Sequence, residues 1–147
     1  MNVQALVKQL DSGPLDDHEL DAINARMGGM ERTLGIRYTH LSRAGVRAEL
    51  EIGPHILQSF GLVNGGTFCT IAECVGSFAG CLAANAPVVG LTNTTHFLSP
   101  GTSGVIQAQA HPVHLGKRVQ LWEVECSVGE KLLAVTSLRA MVMAGVQ

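Results

Sequence analysis

At 147 residues, 46% hydrophobic and 15% charged, the chain suits one domain with a single core. Its net charge is −2 with the basic residues scattered, which excludes a nucleic-acid footprint. Neither a membrane-length apolar run nor the charged-then-apolar order of a signal peptide is read in it, so no membrane contact and a cytoplasmic location are expected.

Residues 1–34 read as a helical adaptor segment ahead of the main unit, residues 35–147. Ser12-Gly13-Pro14 breaks a first helix. Asp16 or Asp17 then caps a second, which runs through His18, Leu20, Ile23 and Met27 until Gly28-Gly29 stops it. A strand pair follows, Ile36 to Leu41 and Val46 to Ile52, with a turn near Arg43-Ala44-Gly45. In the second strand Val46, Ala48, Leu50 and Ile52 alternate with Arg47, Glu49 and Glu51, the pattern of a half-buried antiparallel strand.

Gly66 to Asn85 is apolar nearly all round, which predicts a helix buried on most sides. Its small residues (Ala72, Gly76, Ser77, Ala79, Gly80, Ala83, Ala84) let a sheet approach closely, and Pro87 closes it. Everything beyond reads as strand: Val88 to Phe97, Val105 to His114, a strand opened by Gly116, and Leu132 to Met143. This order predicts an α+β domain, an antiparallel sheet around one helix. The apolar excess suggests surface buried between subunits. Three of the four cysteines (Cys69, Cys74, Cys81) lie on the helix and Cys126 on a strand. With no C-x-x-C and no clustered His, they read as free buried thiols, with no metal site and no cofactor expected.

Chemistry concentrates between Gln58 and Glu73. The Gly65-Gly66 pair opens the helix, where backbone N–H groups and the helix dipole favour developing negative charge. Glu73 sits seven residues further on, with no obvious solvent face. This is the outline of an acyl-transfer site, where a carbonyl needs its oxygen stabilised and a nucleophile delivered to its carbon. The N–H of Gly65 or Gly66 suits the first task, a donor typically worth about 3–4 kcal/mol of barrier, and the Gln58 amide offers a second donor. Glu73 suits the other, by direct attack or by activating water; the plain alternative is a structural pair. Ser77 lies one turn beyond Glu73, on the same face, either to hold the carboxylate or for close packing.

The segment Gly61-Leu62-Val63-Asn64-Gly65-Gly66 with Glu73, the upstream Gln58, and Asn93-Thr94-Thr95-His96-Phe97-Leu98-Ser99-Pro100 resemble the hotdog-fold acyl-CoA thioesterases of the PaaI and 4-hydroxybenzoyl-CoA thioesterase type. The resemblance runs from Gly35 to Met143. It implies a hotdog fold, a curved antiparallel sheet wrapped around one long central helix. It also implies hydrolysis of an aryl- or medium-chain acyl-CoA at Glu73, Gln58, Gly65, Gly66, Ser77 and Asn64. Asn64 stands where the family carries His: it replaces that His if the His only holds the loop by a hydrogen bond and lowers activity if the His exchanges a proton, and Asn also tolerates left-handed backbone before Gly-Gly.

His114-Leu115-Gly116-Lys117-Arg118, followed by Trp122-Glu123, resembles the family's strand–turn–strand piece near bound CoA. Asn93, His96, Gly116, Lys117 and Arg118 are therefore candidate substrate and CoA contacts, with a solvated turn as the alternative for Lys117 and Arg118. His96 and His114 have no carboxylate at ligand spacing and are expected to be structural, and Trp122 to be core or interface. The resemblance further implies a homodimer or homotetramer in which Gln58 and Gly66 meet Glu73 across a subunit boundary. Two other readings stand beside hydrolysis: a non-catalytic acyl-CoA-binding or regulatory protein, and an enoyl-thioester hydratase.

Overall fold

The computed structural model describes residues 2–143. Three short helices come first: α1 (Val3–Ser12), α2 (Asp17–Arg26) and α3 (Gly29–Leu34). Strands β1 (Arg37–Ser42) and β2 (Gly45–Glu51) lead through a 3-10 turn (Pro54–Ile56) to the long helix α4 (Gly65–Ala84). Strands β3 (Val88–Phe97), β4 (Val105–Leu115), β5 (Val119–Val128) and β6 (Lys131–Val142) complete the chain.

Capping sets the helix limits. The Asp16 side chain accepts the Glu19 N–H while Glu19 accepts the Asp16 N–H, a closed capping box at α2. Gly28-Gly29 ends α2 as expected, but the chain restarts at once, with Gly28 as the N-cap of α3. Gly35, at φ +81, stops that helix, its N–H and that of Ile36 both donating to the Glu31 carbonyl. This third helix is absent from the sequence reading, where Gly-Gly counts only as a stop. Asn85 closes α4 in left-handed conformation.

The six strands form one antiparallel sheet in the order β1-β2-β4-β5-β6-β3, and α4 touches every strand. This is the hotdog architecture that the resemblance implies. Ile71, Val75 and Leu82 of α4 are fully buried with Ile106, Val124, Leu133 and Leu138 of the sheet. Gly76 and Gly80 lie where α4 and the sheet come closest: a Cβ at Gly76 would overlap Leu138, and one at Gly80 would stand 2.8 Å from Gln120 Oε1. Trp122 is core, its Nε1–H donating to Gln120 Oε1 at 2.9 Å. From the N-terminal segment, α1 adds Leu6 and Val7 to the same core. α4 is long and apolar enough to cross a membrane, yet it lies on the sheet as the core helix.

β3 departs from the half-buried pattern. Nearly all of its residues are exposed, because it is an edge strand paired only with β6 among the described residues. Its register shifts between Gly90 and Thr92. Gly90 pairs with Ala140 and Asn93 with Leu138, both of which face the core. Three residues apart, Gly90 and Asn93 would face opposite sides of a regular strand. The bulge turns both toward α4.

Candidate active site

The loop before α4 is held by its own backbone. Leu57 bridges Val63, the Gln58 N–H donates to Leu62 O at 2.8 Å, and the Gly61 N–H donates to Gln58 O at 2.9 Å with Gly61 at φ +81. The Phe60 N–H donates to Gln58 Oε1. That bond fixes which end of the amide points away, so Nε2, which has no acceptor among the described residues, is left to donate. Gln58 lines a cavity of about 400 Å³ with Leu62, Gly65, Phe68, Phe97 and Pro100.

Asn64 is the N-cap of α4. Its Oδ1 accepts the Gly66 N–H at 2.8 Å, and its carbonyl accepts the Thr67 N–H at 2.9 Å. Its φ is −63, so the left-handed explanation for Asn at this position is corrected; the residue is there as a cap. The cap also bears on which of the two glycines can donate, a choice the sequence leaves open. Gly66 has its N–H taken, and the Gly65 N–H is the one without an acceptor among the described residues. Gly65 has little room for a side chain, since a Cβ there would stand 2.8 Å from Phe97 Cζ.

Glu73 is half-buried two turns along α4. Ser77 Oγ donates to its Oε1 at 3.0 Å, and Asn93 Nδ2 donates to its Oε2 at 3.3 Å. The same Asn93 amide donates to Cys69 O at 2.9 Å. A Cβ at Gly90 would overlap Glu73 Oε1, so the bare Gly90 backbone is what lets the carboxylate lie against β3. Glu73 opens on a second cavity, of about 340 Å³, with Met30, Cys69, Thr70, Cys74 and Asn93. Burial pushes the Cys74 thiol up to about 12, with the Glu31 and Glu73 carboxylates adding to it, so this sulfur stays protonated beside the acid.

Gly65 and Glu73 do not meet within the chain. Eight residues of helix separate them, about 12 Å along the axis at 1.5 Å per residue, and they open on different cavities. Asn93, read from the sequence as a substrate or CoA contact, lies on the Glu73 carboxylate and lines its cavity. Gly116, Lys117 and Arg118 form the β4–β5 turn, closed by the Gly116 N–H donating to Val119 O at 3.1 Å. The Val142 N–H donates to Arg118 O, and Val142 pairs with Val88, so the turn lies at the end of the sheet where β3 begins.

Lys117 and Arg118 are exposed there. His96 and His114 are exposed as well, and neither ring makes a hydrogen bond among the described residues, so they are not the satisfied structural histidines expected. Among the described residues no three His, Cys, Asp or Glu side chains gather as a metal-ligand set. The sequence reading missed Gly90 and Met30 altogether. Neither carries a local signal, because each reaches Glu73 only through the packing of β3 or α3 on α4.

Residues 60–135 match the family model described as the thioesterase superfamily. The chain is 38% identical over 109 residues to the proofreading thioesterase EntH of Klebsiella pneumoniae, covering 71% of this chain and 79% of that one. It is 34% identical over 109 residues to the 1,4-dihydroxy-2-naphthoyl-CoA hydrolase of Escherichia coli, covering 72% and 80% of the two. The solved structure of a thioesterase from Haemophilus influenzae superposes with a TM-score of 0.80 at 28% identity, over 90% of this chain and 94% of that one.

Proposed function

The chain belongs to the thioesterase superfamily and is a thioester hydrolase, and from that premise we propose that it cleaves an aryl- or medium-chain acyl-CoA to the free acid and CoA. The observation that carries this reading is the Glu73 carboxylate, fixed through one oxygen by Ser77 and through the other by Asn93, beside an open cavity. A carboxylate oriented in this way is suited to reaction rather than to a buried ion pair, since the described ion pairs do not include it.

Two routes use this geometry. In the first, Glu73 takes a proton from water as the water oxygen bonds to the carbonyl carbon; the C–S bond then breaks and the proton passes to the leaving thiolate. In the second, a Glu73 oxygen bonds to that carbon, the thiolate leaves, and water splits the mixed anhydride. Both build negative charge on the carbonyl oxygen, and the Gly65 N–H with Gln58 Nε2 are the donors that would hold it. Hydrolysis in heavy-oxygen water under single-turnover conditions tests for the second route, because water attacking the Glu73 carbon of the anhydride labels Glu73, which the first route never does.

One thioester carbonyl needs both sets of groups within about 3 Å, whereas one chain holds them about 12 Å apart along α4. Each site therefore takes Gln58 and Gly65 from one copy and Glu73 from another, in a homodimer or a tetramer built from it. Lys117 and Arg118 have the charge to pair with the phosphates of CoA.

The test is thiol release across a panel of acyl-CoA and acyl-carrier-protein thioesters, run beside an enoyl-CoA hydration assay. Wild-type protein releases thiol from at least one aryl- or medium-chain acyl-CoA. Glu73→Ala lowers kcat by about 10²–10⁴-fold with its thermal melt intact. Binding of acyl-CoA without thiol release would make the protein a binding module, and turnover unchanged by Glu73→Ala would remove that residue from the mechanism.

A further inference from the structure

The Glu73 cavity has a wall that the reaction itself does not use. Met30, on α3, lines it opposite residues of α4, and is 51% exposed although it is a large apolar side chain. It stands outside the core cluster, so core packing does not account for it. The remaining lining is Cys69, Thr70 and Cys74 around the acid, with Asn93 on β3. Its polar groups are engaged within the protein. The Thr70 hydroxyl donates to Gly66 O at 2.9 Å, and the Asn93 amide donates to Cys69 O and to Glu73. The donors left over are the thiols of Cys69 and Cys74, which are weak and suit an apolar group better than a polar substituent.

We propose that this cavity receives the acyl group of the substrate, that the group is neutral and apolar, and that Met30 sets its size. The proposal rests on the hydrolytic reading of Glu73. At about 340 Å³ the cavity lies near the lower end of small-molecule sites, roughly 300–1,000 Å³. The Gln58–Gly65 loop of a second copy, which the proposed assembly brings to Glu73, would narrow it further, and that favours an aromatic ring or a medium chain over a long one. Methionine is a suitable wall, because an unbranched, polarisable thioether follows the shape of what it touches.

Charge supplies the second half of the specificity. Glu73 puts a carboxylate on the wall of this cavity, whereas Glu31, next to Met30 on α3, lines a neighbouring one with Asp21 and Arg32. An acyl group with a carboxylate at its far end would bring a second negative charge into the cavity that holds Glu73. Acyl groups of the succinyl type are therefore turned away.

Binding of non-hydrolysable S-alkyl-CoA thioethers, measured by calorimetry, tests this independently of turnover. The probes are the methyl, hexyl, benzyl and carboxypropyl thioethers. Wild-type protein binds the hexyl and benzyl compounds more tightly than the other two. Met30→Trp weakens hexyl and benzyl binding by roughly tenfold, as a misfit of a methylene or more does, and leaves the methyl compound unchanged. Glu73→Gln narrows the gap between carboxypropyl and hexyl. A Met30→Trp effect equal on all four probes, or none on any, overturns the proposal, as does wild-type affinity that ignores the alkyl group. Should wild-type protein release no thiol from any acyl-CoA, the catalytic reading fails while the thioether series still reports on the cavity.

Discussion

Asn64 holds the start of α4 by accepting the Gly66 N–H at 2.8 Å, and in doing so takes one donor away from any bound carbonyl. Two substitutions separate its roles. Asn64→Ala removes the cap and costs about 1 kcal/mol, which lowers the melting temperature by roughly 3 °C in a chain of this size. Asn64→Asp keeps the cap and the melting temperature. It also places a negative charge beside the developing oxyanion, so kcat falls. Scanning calorimetry with thiol release checks both, and an Asp variant as active as wild type would move the oxyanion site away from this turn. The motif from Gln58 to Glu73 is legible in the sequence because it depends on local spacing. Which of its N–H groups stays free is not, because that depends on where one side-chain oxygen points.

The bulge in β3 does for Glu73 what the cap does for Gly65. By shifting register between Gly90 and Thr92 it brings the bare backbone of Gly90 and the amide of Asn93 to the same carboxylate. Gly90 is not among the glycines at positive φ, so alanine meets no backbone strain there. Its Cβ would nevertheless occupy the place of Glu73 Oε1. Gly90→Ala is expected to stay folded and to lose roughly 10²-fold in kcat, the usual consequence of displacing a reacting group by about 1 Å. Circular dichroism melting and thiol release together read this outcome, and full activity would show that the carboxylate tolerates the shift. The strands themselves follow from sequence, since Val46, Ala48 and Leu50 against Arg47 and Glu49 admit one buried face. A bulge leaves no such trace, because it is a choice of pairing between two distant segments. The restart of the chain as α3 was hidden for a different reason: Gly28-Gly29 reads equally well as an end and as a cap.

At the level of the assembled protein, the separation of Gly65 from Glu73 leads to a complementation experiment. Glu73→Ala and Gln58→Ala proteins are each impaired at every site. If sites form across copies, mixing and reassembling the two variants creates hybrids in which one site recovers both wild-type residues. Activity should then exceed the sum of the separate proteins, and no gain would return both halves to a single chain. Composition, the apolar run of α4 and the strand alternation sufficed for the fold class, and the Gln58–Glu73 segment sufficed for the outline of an acyl-transfer site and for the family resemblance that implied the reaction class. Each of these is a property of residues close together along the chain, where propensity and periodicity act directly. Packing settled the rest: that Asn93 and Ser77 hold Glu73, that Gly90 makes room for it, that Met30 lines its cavity, and that Gly65 faces another. Those relations join residues far apart in sequence, and strand register and helix docking, which set them, are long-range balances of packing that no local pattern encodes.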